Sequence, residues 1–546
     1  MRDLETFLAN RLPPLLLILL LGVLLWGGEY VRRDLWAPDE ARFALVSKEM
    51  REGHWLVPYR QGEFYTHKPP LMFWLTNLFS LLTGGQIGNV APRLPSFLGA
   101  TLALWAATRL AARWFSPAAA WWTLLVLPSS FLFWNKGGFG QIDMLLCGLQ
   151  MMALYFLFTA TRTRHFVFAY VFMGLGILAK GPVGFLVPWG VFIAARLTAR
   201  DPQPHVARHH WLWGPLITLA FPAIWLSLAW WQGAPEGFFP ELLFHQNVGR
   251  VAGEFGGHLK PFYYFLYYFP LDFLPWTLLL PLAYAAMSQA PVTWAARRRL
   301  LAWILFVIVF FSLSASKRNL YILLAYPAAA IFIAGSIPYW RKLAPAWRTR
   351  TAAILGGLLT ILAAGMIIGA FIPNLPFPSI WLLPGGLLLA AGLVFARRAY
   401  RDRPESPAWL AALAGAVLAT FASIGALVYP AFDDLKTPDE LIATAQELLG
   451  PEDRLLLYNM QGEIFSLYTE RKGYMAMSDE DFLRFLQDSP QTNHVIVLLE
   501  RHRENVQRLL GEAFQPGAFS SGGKKILYVT LRGNQHVAPA STPENP

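Results

Sequence analysis

Long apolar segments separated by short polar ones run through residues 1–430 of the chain. A helix that crosses a lipid bilayer needs about 20 mostly apolar residues, and about thirteen of these segments approach that length. The predicted spans are 13–29, 92–112, 117–135, 143–160, 166–180, 181–196, 212–231, 262–286, 299–315, 320–339, 351–372, 379–396 and 407–428. We therefore expect an α-helical polytopic membrane protein, with residues 1–430 as its transmembrane domain.

The first outer loop, residues 30–91, carries polar positions at helical spacing. Residues 38–52 begin with acidic side chains and place Phe43, Val46 and Met50 on one face, which predicts a helix lying along the membrane surface. A second helix begins near the letters KPPLMFWLTNLFSLL and is apolar enough to be interfacial or partly inserted. This loop is therefore predicted to be long and structured.

After residue 430 the pattern changes to short alternating runs, which are typical of half-buried strands. Strands are predicted at 454–459, 494–500 and 525–531, with helical stretches such as SDEDFLRFLQ between them. Residues 431–533 are thus expected to form a soluble α/β domain, followed by a disordered tail at 534–546. This domain has no Gly-rich phosphate loop in its sequence, so no nucleotide cofactor is expected.

Composition and charge set the predicted orientation. Of the residues, 55% are hydrophobic and 14% charged, far from the usage of soluble proteins. Basic residues gather in alternate loops, as they do in loops kept in the cytoplasm. This places the N-terminus in the cytoplasm, with an uncleaved signal anchor as the first span, and the α/β domain on the outer, periplasmic face of the inner membrane. The basic loops contain Arg109, Arg113, Arg162, Arg164, Arg196, Arg200, Arg208, Arg297, Arg298, Arg299, Arg341, Lys342, Arg348, Arg350, Arg397, Arg398, Arg401 and Arg403.

The net charge of +11 is explained by this topology, so a nucleic-acid partner is not indicated. Anionic membrane lipids remain partners of the basic loops. The single cysteine, Cys147, lies within a predicted span and provides neither a disulfide framework nor a metal-thiolate cluster.

Ionisable residues on the predicted outer face are the candidates for chemistry, because charge at membrane depth is costly. Carboxylates suit a general base, a metal ligand or the stabilisation of a cationic sugar-like transition state. Lysine and arginine suit a phosphate. Together they indicate chemistry on a lipid-linked phosphate. The outer-face set is Asp39, Glu40, Arg42, His67, Lys68, Lys136, Asp143, Lys180, His245, Arg250, His258, Lys260, Lys317 and Arg318.

Structural roles compete with these assignments. Asp39, Glu40 and Asp143 are each placed to complement the positive start of a helix. Lys317 and Arg318 could extend from an apolar span to the interface. Lys180 is harder to explain structurally, because it stands between two apolar spans at a tight Gly-Pro turn. A transporter or lipid flippase is the rival class, although we find none of the internal repeats common in transporters.

The stretch DEARFALVSKEMREGHWLVPYRQGEFYTHKPPLMFWL resembles the first outer loop of the GT-C membrane glycosyltransferases. The likeness is to the branch that holds the lipid A aminoarabinose transferases and the protein O-mannosyltransferase relatives, glycosyltransferase families 39 and 83. It continues in order along the membrane part, through GQIDMLLCG, LAKGPVGFLVP, FHQNVGRVAG, HLKPFYYFLYYFPLDFLPW and SASKRNLYILLAYPA.

The resemblance implies roles for particular residues. Asp39 and Asp143 match the two aspartates of the family's catalytic region. Lys68, Lys180 and Arg250 match positions associated with the lipid phosphate, and we add Arg42, Tyr65, Lys317 and Arg318 as substrate-binding candidates.

His245 matches a histidine linked to a metal site. The acidic residue expected beside Lys68 is His67 here, which would favour Zn²⁺ over Mg²⁺ or Mn²⁺ if both histidines are ligands.

The implied activity is transfer of a sugar, with inversion, from a polyprenyl-phosphate donor of undecaprenyl type to lipid A or another envelope glycolipid on the outer face. The alternative acceptor is a protein, as in the O-mannosyltransferases. Basic residues would stabilise the departing lipid phosphate, and Asp39 would orient the acceptor or take its proton. We expect a monomer.

Overall fold

A computed structural model describes residues 13–199, 209–243, 259–373 and 375–436, and in the C-terminal part 442–443, 447, 449–450, 452–460, 462–469, 473–488, 491–521 and 524–532. The chain divides into two compact units. The first comprises Met1–Arg32, Trp55–Val57 and Thr66–Tyr429, and the second comprises Arg33–His54, Pro58–Tyr65 and Pro430–Pro546.

Helices dominate the described residues. Those of at least seven residues are α1 Leu15–Arg32, α2 Asp39–Met50, α3 Leu71–Ser80, α4 Leu94–Trp114, α5 Pro117–Val126, α6 Phe131–Gly138, α7 Ile142–Phe158, α8 Thr163–Lys180, α9 Val183–Ala199, α10 His210–Trp231, α11 Tyr264–Asp272, α12 Leu280–Ser288, α13 Trp294–Ser312, α14 Ala325–Ser336, α15 Pro345–Gly369, α16 Leu382–Asp402, α17 Ala408–Ser423, α18 Glu463–Thr469, α19 Asp479–Gln487 and α20 Arg503–Leu510.

Five helical segments among the described residues are long and apolar enough to cross a membrane by themselves. Two bent pairs would raise that number to seven. Each of the thirteen predicted segments contains a helix, but the count of thirteen crossings stays a prediction. The five are Leu15–Arg32, His210–Trp231, Pro345–Gly369, Ser379–Asp402 and Ala408–Phe432.

Two predicted spans are broken rather than continuous. The 117–135 segment consists of α5 and α6, bent by 68°, and the 262–286 segment bends by 96° between α11 and Trp276–Ser288. Pro128 and Pro275 lie at the two breaks, and proline lacks the backbone N–H that would continue an α-helix. Hydropathy averaged over a window does not register a single proline, which explains the difference.

Glycines let the helices of the first unit approach closely. A Cβ on Gly99 of α4 would lie 2.2 Å from the Met144 carbonyl oxygen of α7. A Cβ on Gly184 of α9 would lie 2.1 Å from the carbonyl carbon of Gly176 in α8. Close backbone packing of this kind is typical of membrane helices, and it fixes the start of α7 and the end of α8.

The second unit contains a mixed five-stranded sheet with the order β4-β3-β5-β7-β6. Its strands are β3 Arg454–Tyr458, β4 Gly473–Ala476, β5 His494–Leu499, β6 Gly517–Ser521 and β7 Lys524–Leu531, and a separate hairpin is formed by β1 Tyr59–Arg60 and β2 Glu63–Phe64. β3 is parallel to β4 and β5, whereas β7 is antiparallel to both of its neighbours. The three predicted strands are the central three of the sheet. The two edge strands lack a clear alternating pattern and were not predicted.

Helices α19 and α20 pack their apolar faces on this sheet. Phe482 and Val506 are buried with Leu456, Ile496 and Val529 in one apolar cluster. Ser478 caps α19 by accepting a hydrogen bond from the Asp481 N–H at 3.1 Å. The predicted α/β architecture after residue 430 therefore has its own hydrophobic core.

The predicted helix at 38–52 is α2, but its apolar surface is not one-sided. Nine of its twelve residues are buried, and α2 packs against α18 within the second unit. The structure thus groups α2 and the β1–β2 hairpin with the C-terminal residues, although the whole 30–91 loop was predicted within the 1–430 domain. The second predicted loop helix is α3, extended by a 3₁₀ turn at Leu81–Thr83.

Candidate functional site

Asp39 and Arg42 lie one turn apart at the start of α2. The Arg42 Nε donates to Glu463 Oε1 at 2.9 Å, and its Nη1 lies 3.9 Å from Asp39 Oδ1. Arg60 of the hairpin reaches the same Glu463 oxygen at 3.5 Å. These four side chains form a charged cluster in the second unit, which we call the α2 cluster.

Burial controls the electrostatics of the α2 cluster. Desolvation disfavours the charged form of Arg42, but Tyr65, Glu463 and Asp39 outweigh it and raise the Arg42 pKa. Glu463 is 1% exposed, so it is a buried anion whose charge is balanced by two guanidinium groups. Asp39 is 15% exposed and Arg42 does not approach it within hydrogen-bonding distance. Arg42 can therefore attract and orient the Asp39 carboxylate.

Tyr65 lies beside this cluster at the end of the hairpin. Its side chain is 3% exposed, and its backbone N–H donates to the Pro58 oxygen at 2.7 Å. The Arg60 guanidinium carbon lies 5.6 Å from the Tyr65 ring centre, within the range of a cation–π contact. The hairpin thus supplies both an arginine and an aromatic ring.

Glu40 has a structural role that differs from the one predicted. From the sequence, Glu40 could either take part in chemistry or complement the positive start of the helix. Instead its carboxylate accepts from Arg33 Nη1 at 2.7 Å and Nη2 at 3.0 Å, and from the Trp36 N–H at 3.1 Å. Glu40 is 1% exposed. Its buried hydrogen bonds to Arg33 and Trp36 stabilise the chain segment that leads into α2.

Asp143 and Lys180 form an ion pair in the first unit. Asp143 lies in the first turn of α7 and Lys180 is the last residue of α8. These helices are consecutive and antiparallel neighbours, so the start of one meets the end of the other. Acidic groups are favoured at helix starts and basic groups at helix ends. Asp143 therefore has a cationic partner.

Tyr321 completes this second set, which we call the α7–α8 cluster. Lys180 Nζ lies 4.6 Å from the centre of the Tyr321 ring, and the Tyr321 N–H donates to the Arg318 oxygen at 3.0 Å. Tyr321 belongs to a 3₁₀ turn, Asn319–Ile322, that follows the predicted basic segment. The structure thus places the half-buried Arg318 directly before the turn whose Tyr321 ring faces the Lys180 ammonium.

Lys317 points to the backbone rather than to an open surface. Its ammonium donates to the Lys260 oxygen at 3.0 Å and to the Ser314 oxygen. Burial lowers its pKa. Leu259 and Ser316 also pair as an antiparallel bridge. Lys317 therefore holds two chain segments together in this structure.

The remaining candidates are described only in part. His67 is exposed and Lys68 is half-buried, just before α3. Arg250 and His245 lie outside the described residues. No group of three or more His, Cys, Asp or Glu side chains that could hold a metal is found in the part of the chain that the structure describes. The metal site therefore stays a prediction.

Glu463, Arg60 and Tyr321 were missed by sequence reasoning. Glu463 is an acid in the first turn of a helix, which has an ordinary structural explanation. Tyr321 is an aromatic residue of the kind common at membrane interfaces. The sequence around Glu463 and Tyr321 therefore gives no local signal that distinguishes a functional residue from a structural one.

Comparison with known proteins shows which glycosyltransferases the chain resembles. The model of the family described as dolichyl-phosphate-mannose-protein mannosyltransferase matches residues 67–230. The undecaprenyl phosphate-alpha-4-amino-4-deoxy-L-arabinose arabinosyl transferase of Pectobacterium carotovorum is 27% identical, over 83% of this chain and 83% of that protein. The chain is thus similar to a membrane glycosyltransferase over most of its length.

Further comparisons agree with this similarity. The arabinosyl transferase of the same name from Serratia proteamaculans is 25% identical, over 86% of this chain and 90% of that protein. A crystal structure of ArnT from Cupriavidus metallidurans bound to undecaprenyl phosphate superposes with a TM-score of 0.78 at 21% identity, covering 97% of this chain and 99% of that one. The predicted resemblance to the aminoarabinose transferases, the glycosyltransferase class and the helical fold are confirmed. The protein is a multi-pass protein of the bacterial inner membrane.

Proposed function

We propose that this GT-C glycosyltransferase moves a sugar from an undecaprenyl-phosphate-type donor to lipid A or another envelope glycolipid. The supporting observation is its similarity, over 83% of its length, to an enzyme named for undecaprenyl phosphate-aminoarabinose. That name makes 4-amino-4-deoxy-L-arabinose the first sugar to test. The solved relative that carries undecaprenyl phosphate agrees with the proposed donor lipid.

The donor phosphate is assigned to the basic residues of the first unit. In the transfer, an acceptor oxygen bonds to the anomeric carbon, and the bond from that carbon to the lipid phosphate oxygen breaks. The electron pair leaves with the phosphate, which gains negative charge. Lys180, with Lys68, Arg250 and Arg318, would stabilise that charge. Attack opposite the leaving phosphate inverts the anomeric carbon.

The acceptor is assigned to Asp39. A hydroxyl acceptor needs a base, and a carboxylate can take its proton. A lipid A phosphate is already an oxyanion, so in that case Asp39 would position the acceptor, with its orientation set by Arg42. Tyr65 is proposed to contact the substrate beside Arg42. Asp143 would hold the Lys180 ammonium in place.

A divalent metal stays a proposal. His67 and His245 would supply imidazole ligands, which suit Zn²⁺, and Mg²⁺ or Mn²⁺ would need oxygen ligands in addition. When bound, such an ion would add positive charge near the donor phosphate. No step above depends on it.

Reconstituted transfer tests the function. Purified protein is mixed with undecaprenyl phosphate-aminoarabinose and lipid A, and mass spectrometry measures the modified lipid A. Asp39→Asn and Lys180→Ala should each abolish most activity, whereas Asp402→Asn and Lys342→Ala, at exposed positions, should retain it. Full activity in both site variants would refute the assigned residues, and no product with the unmodified protein would refute this donor–acceptor pair.

A protein acceptor is the second candidate, because the matched family model carries the mannosyltransferase description. Comparing cells with and without the gene would separate the two. Glycopeptides lost in the deletion strain, with lipid A unchanged, would favour protein glycosylation.

A further inference from the structure

We propose that Asp272 is a positioning residue for the donor phosphate, acting on Lys180 through the Asn319–Ile322 turn. The proposal rests on the function above, in which Lys180 binds that phosphate. No role for Asp272 was predicted from the sequence. Asp272 ends α11 and is 5% exposed, and a buried carboxylate at membrane depth needs a specific reason to be there.

The first step of the argument is the contact between Asp272 and Asn319. Asn319 Nδ2 donates to Asp272 Oδ2 at 3.0 Å, across 47 residues of sequence. Tyr264, at the other end of α11, hydrogen-bonds to the backbone of Asn319. Lys136 adds electrostatic attraction to Asp272. Two side chains of one helix therefore fix the first residue of the turn.

The second step runs from Asn319 to Lys180. Asn319 and Tyr321 lie in the same four-residue 3₁₀ turn, whose tight backbone couples their positions. Tyr321 presents its ring to the Lys180 ammonium at 4.6 Å. Movement of the turn would therefore displace the ring that packs against Lys180.

The third step concerns charge. Lys180 already pairs with Asp143, so its ammonium must be held where it can attract a phosphate without being drawn wholly toward that carboxylate. The face of an aromatic ring attracts a cation without neutralising it. Tyr321 is suited to this task, and Asp272 sets the position of Tyr321. Arg318, which precedes the turn, is placed by the same anchor.

The test measures the transfer kinetics of Asp272→Ala, Asn319→Ala and the double variant that carries both changes. Asp402→Ala, at an exposed position, is the control. We expect the KM for the undecaprenyl-phosphate donor to rise about 10-fold in each single variant, as for loss of a hydrogen bond to a charged group. The acceptor KM and kcat should stay near those of the unmodified enzyme. The double variant should be no worse than the single ones, because both remove the same contact. Asp272→Asn should recover most of the loss, since an amide oxygen can still accept from Asn319.

A second readout is independent of turnover. Peptide mass spectrometry measures acylation of Lys180 by an amine reagent, with the exposed Lys342 as internal standard. Lys180 should react faster in Asp272→Ala and Asn319→Ala. Unchanged donor KM and unchanged Lys180 reactivity would overturn the proposal, as would a uniform loss of kcat and thermal stability without a KM effect. If the unmodified protein transfers no sugar, the proposed function fails, and Lys180 reactivity alone decides the positioning role.

Discussion

Among single residues, Glu463 holds two arginines, Arg42 and Arg60, with one carboxylate oxygen. Its other oxygen, Oε2, is buried and has no hydrogen-bond partner among the described residues. A carboxylate that is both desolvated and ionised is tolerated only because positive charge surrounds it. The position of Arg42, and through it that of Asp39, therefore depends on Glu463.

Glu463→Gln should lower kcat/KM by about 10-fold or more, because a neutral amide leaves the guanidinium groups without their buried counter-charge. Transfer kinetics with purified enzyme measure the loss. Glu512→Gln, at an exposed position, serves as the matched control. Wild-type kinetics in Glu463→Gln would show that Arg42 does not need this partner.

Among the elements, α4 and α7 meet through glycine. Gly148 of α7 would place a Cβ 2.3 Å from the Gly99 oxygen of α4, so each helix presents a glycine to the backbone of the other. This interface supports the start of α7, where Asp143 lies. Overpacking it should separate the two helices and displace Asp143.

Gly99→Ala should lower the free energy of unfolding by about 1–3 kcal/mol, the usual cost of an added group in a tight core. Gly356→Ala is the control, because nothing lies within 4 Å of the Cβ it would add and alanine favours a helix. Thermal unfolding in detergent compares the two. An equal melting temperature for both variants would contradict the close contact seen between α4 and α7.

A second prediction at this scale concerns the chain between α1 and α2. Asp433 accepts from Trp36 Nε1 at 2.7 Å and from the Asp34 N–H at 3.1 Å. Burial outweighs these hydrogen bonds and raises the Asp433 pKa to about 6. The folded state then binds a proton more tightly than the unfolded state does. Asp433 therefore makes stability fall as pH rises from about 4 to about 6.

The pH dependence caused by Asp433 can be measured by hydrogen exchange. The protection of the peptide that contains residues 33–36 is compared at pH 4.5 and pH 7. Asp433→Asn should reduce the difference in protection between the two pH values, since an amide does not titrate. Asp402→Asn should leave the difference unchanged. A pH dependence that survives in Asp433→Asn would assign the effect to another group.

At the scale of the whole molecule, hydropathy located the helices and alternation located the three central strands. These are local patterns, produced by the face or faces that an element buries. They did not predict the breaks at Pro128 and Pro275. They also did not predict the Arg42–Glu463 pair, because its members are 421 residues apart and no local pattern specifies so distant a partner. The family motifs led to Asp39, Asp143 and Lys180, whereas Tyr321 and Asp272 emerged only from the folded contacts.

The proposed topology is also a property of the whole chain. An odd number of crossings, such as thirteen, puts the two termini on opposite faces of the membrane, with the N-terminus in the cytoplasm and the α/β domain in the periplasm. Alkaline phosphatase, which is active only in the periplasm, should be active when fused after residue 436 and inactive when fused after Arg164. Activity at both sites, or at neither, would refute this arrangement.

The separation of Arg42 and Glu463 also has a consequence for synthesis of the protein. A ribosome adding about 5 to 20 residues per second makes Arg42 roughly 20 to 80 s before the partner that follows 421 residues later. During that interval α2 has been made but cannot pack against α18. Chains that stop before residue 463 never gain that contact. We therefore expect a protease to cleave α2 first in unfinished chains, whereas α2 is protected in complete ones.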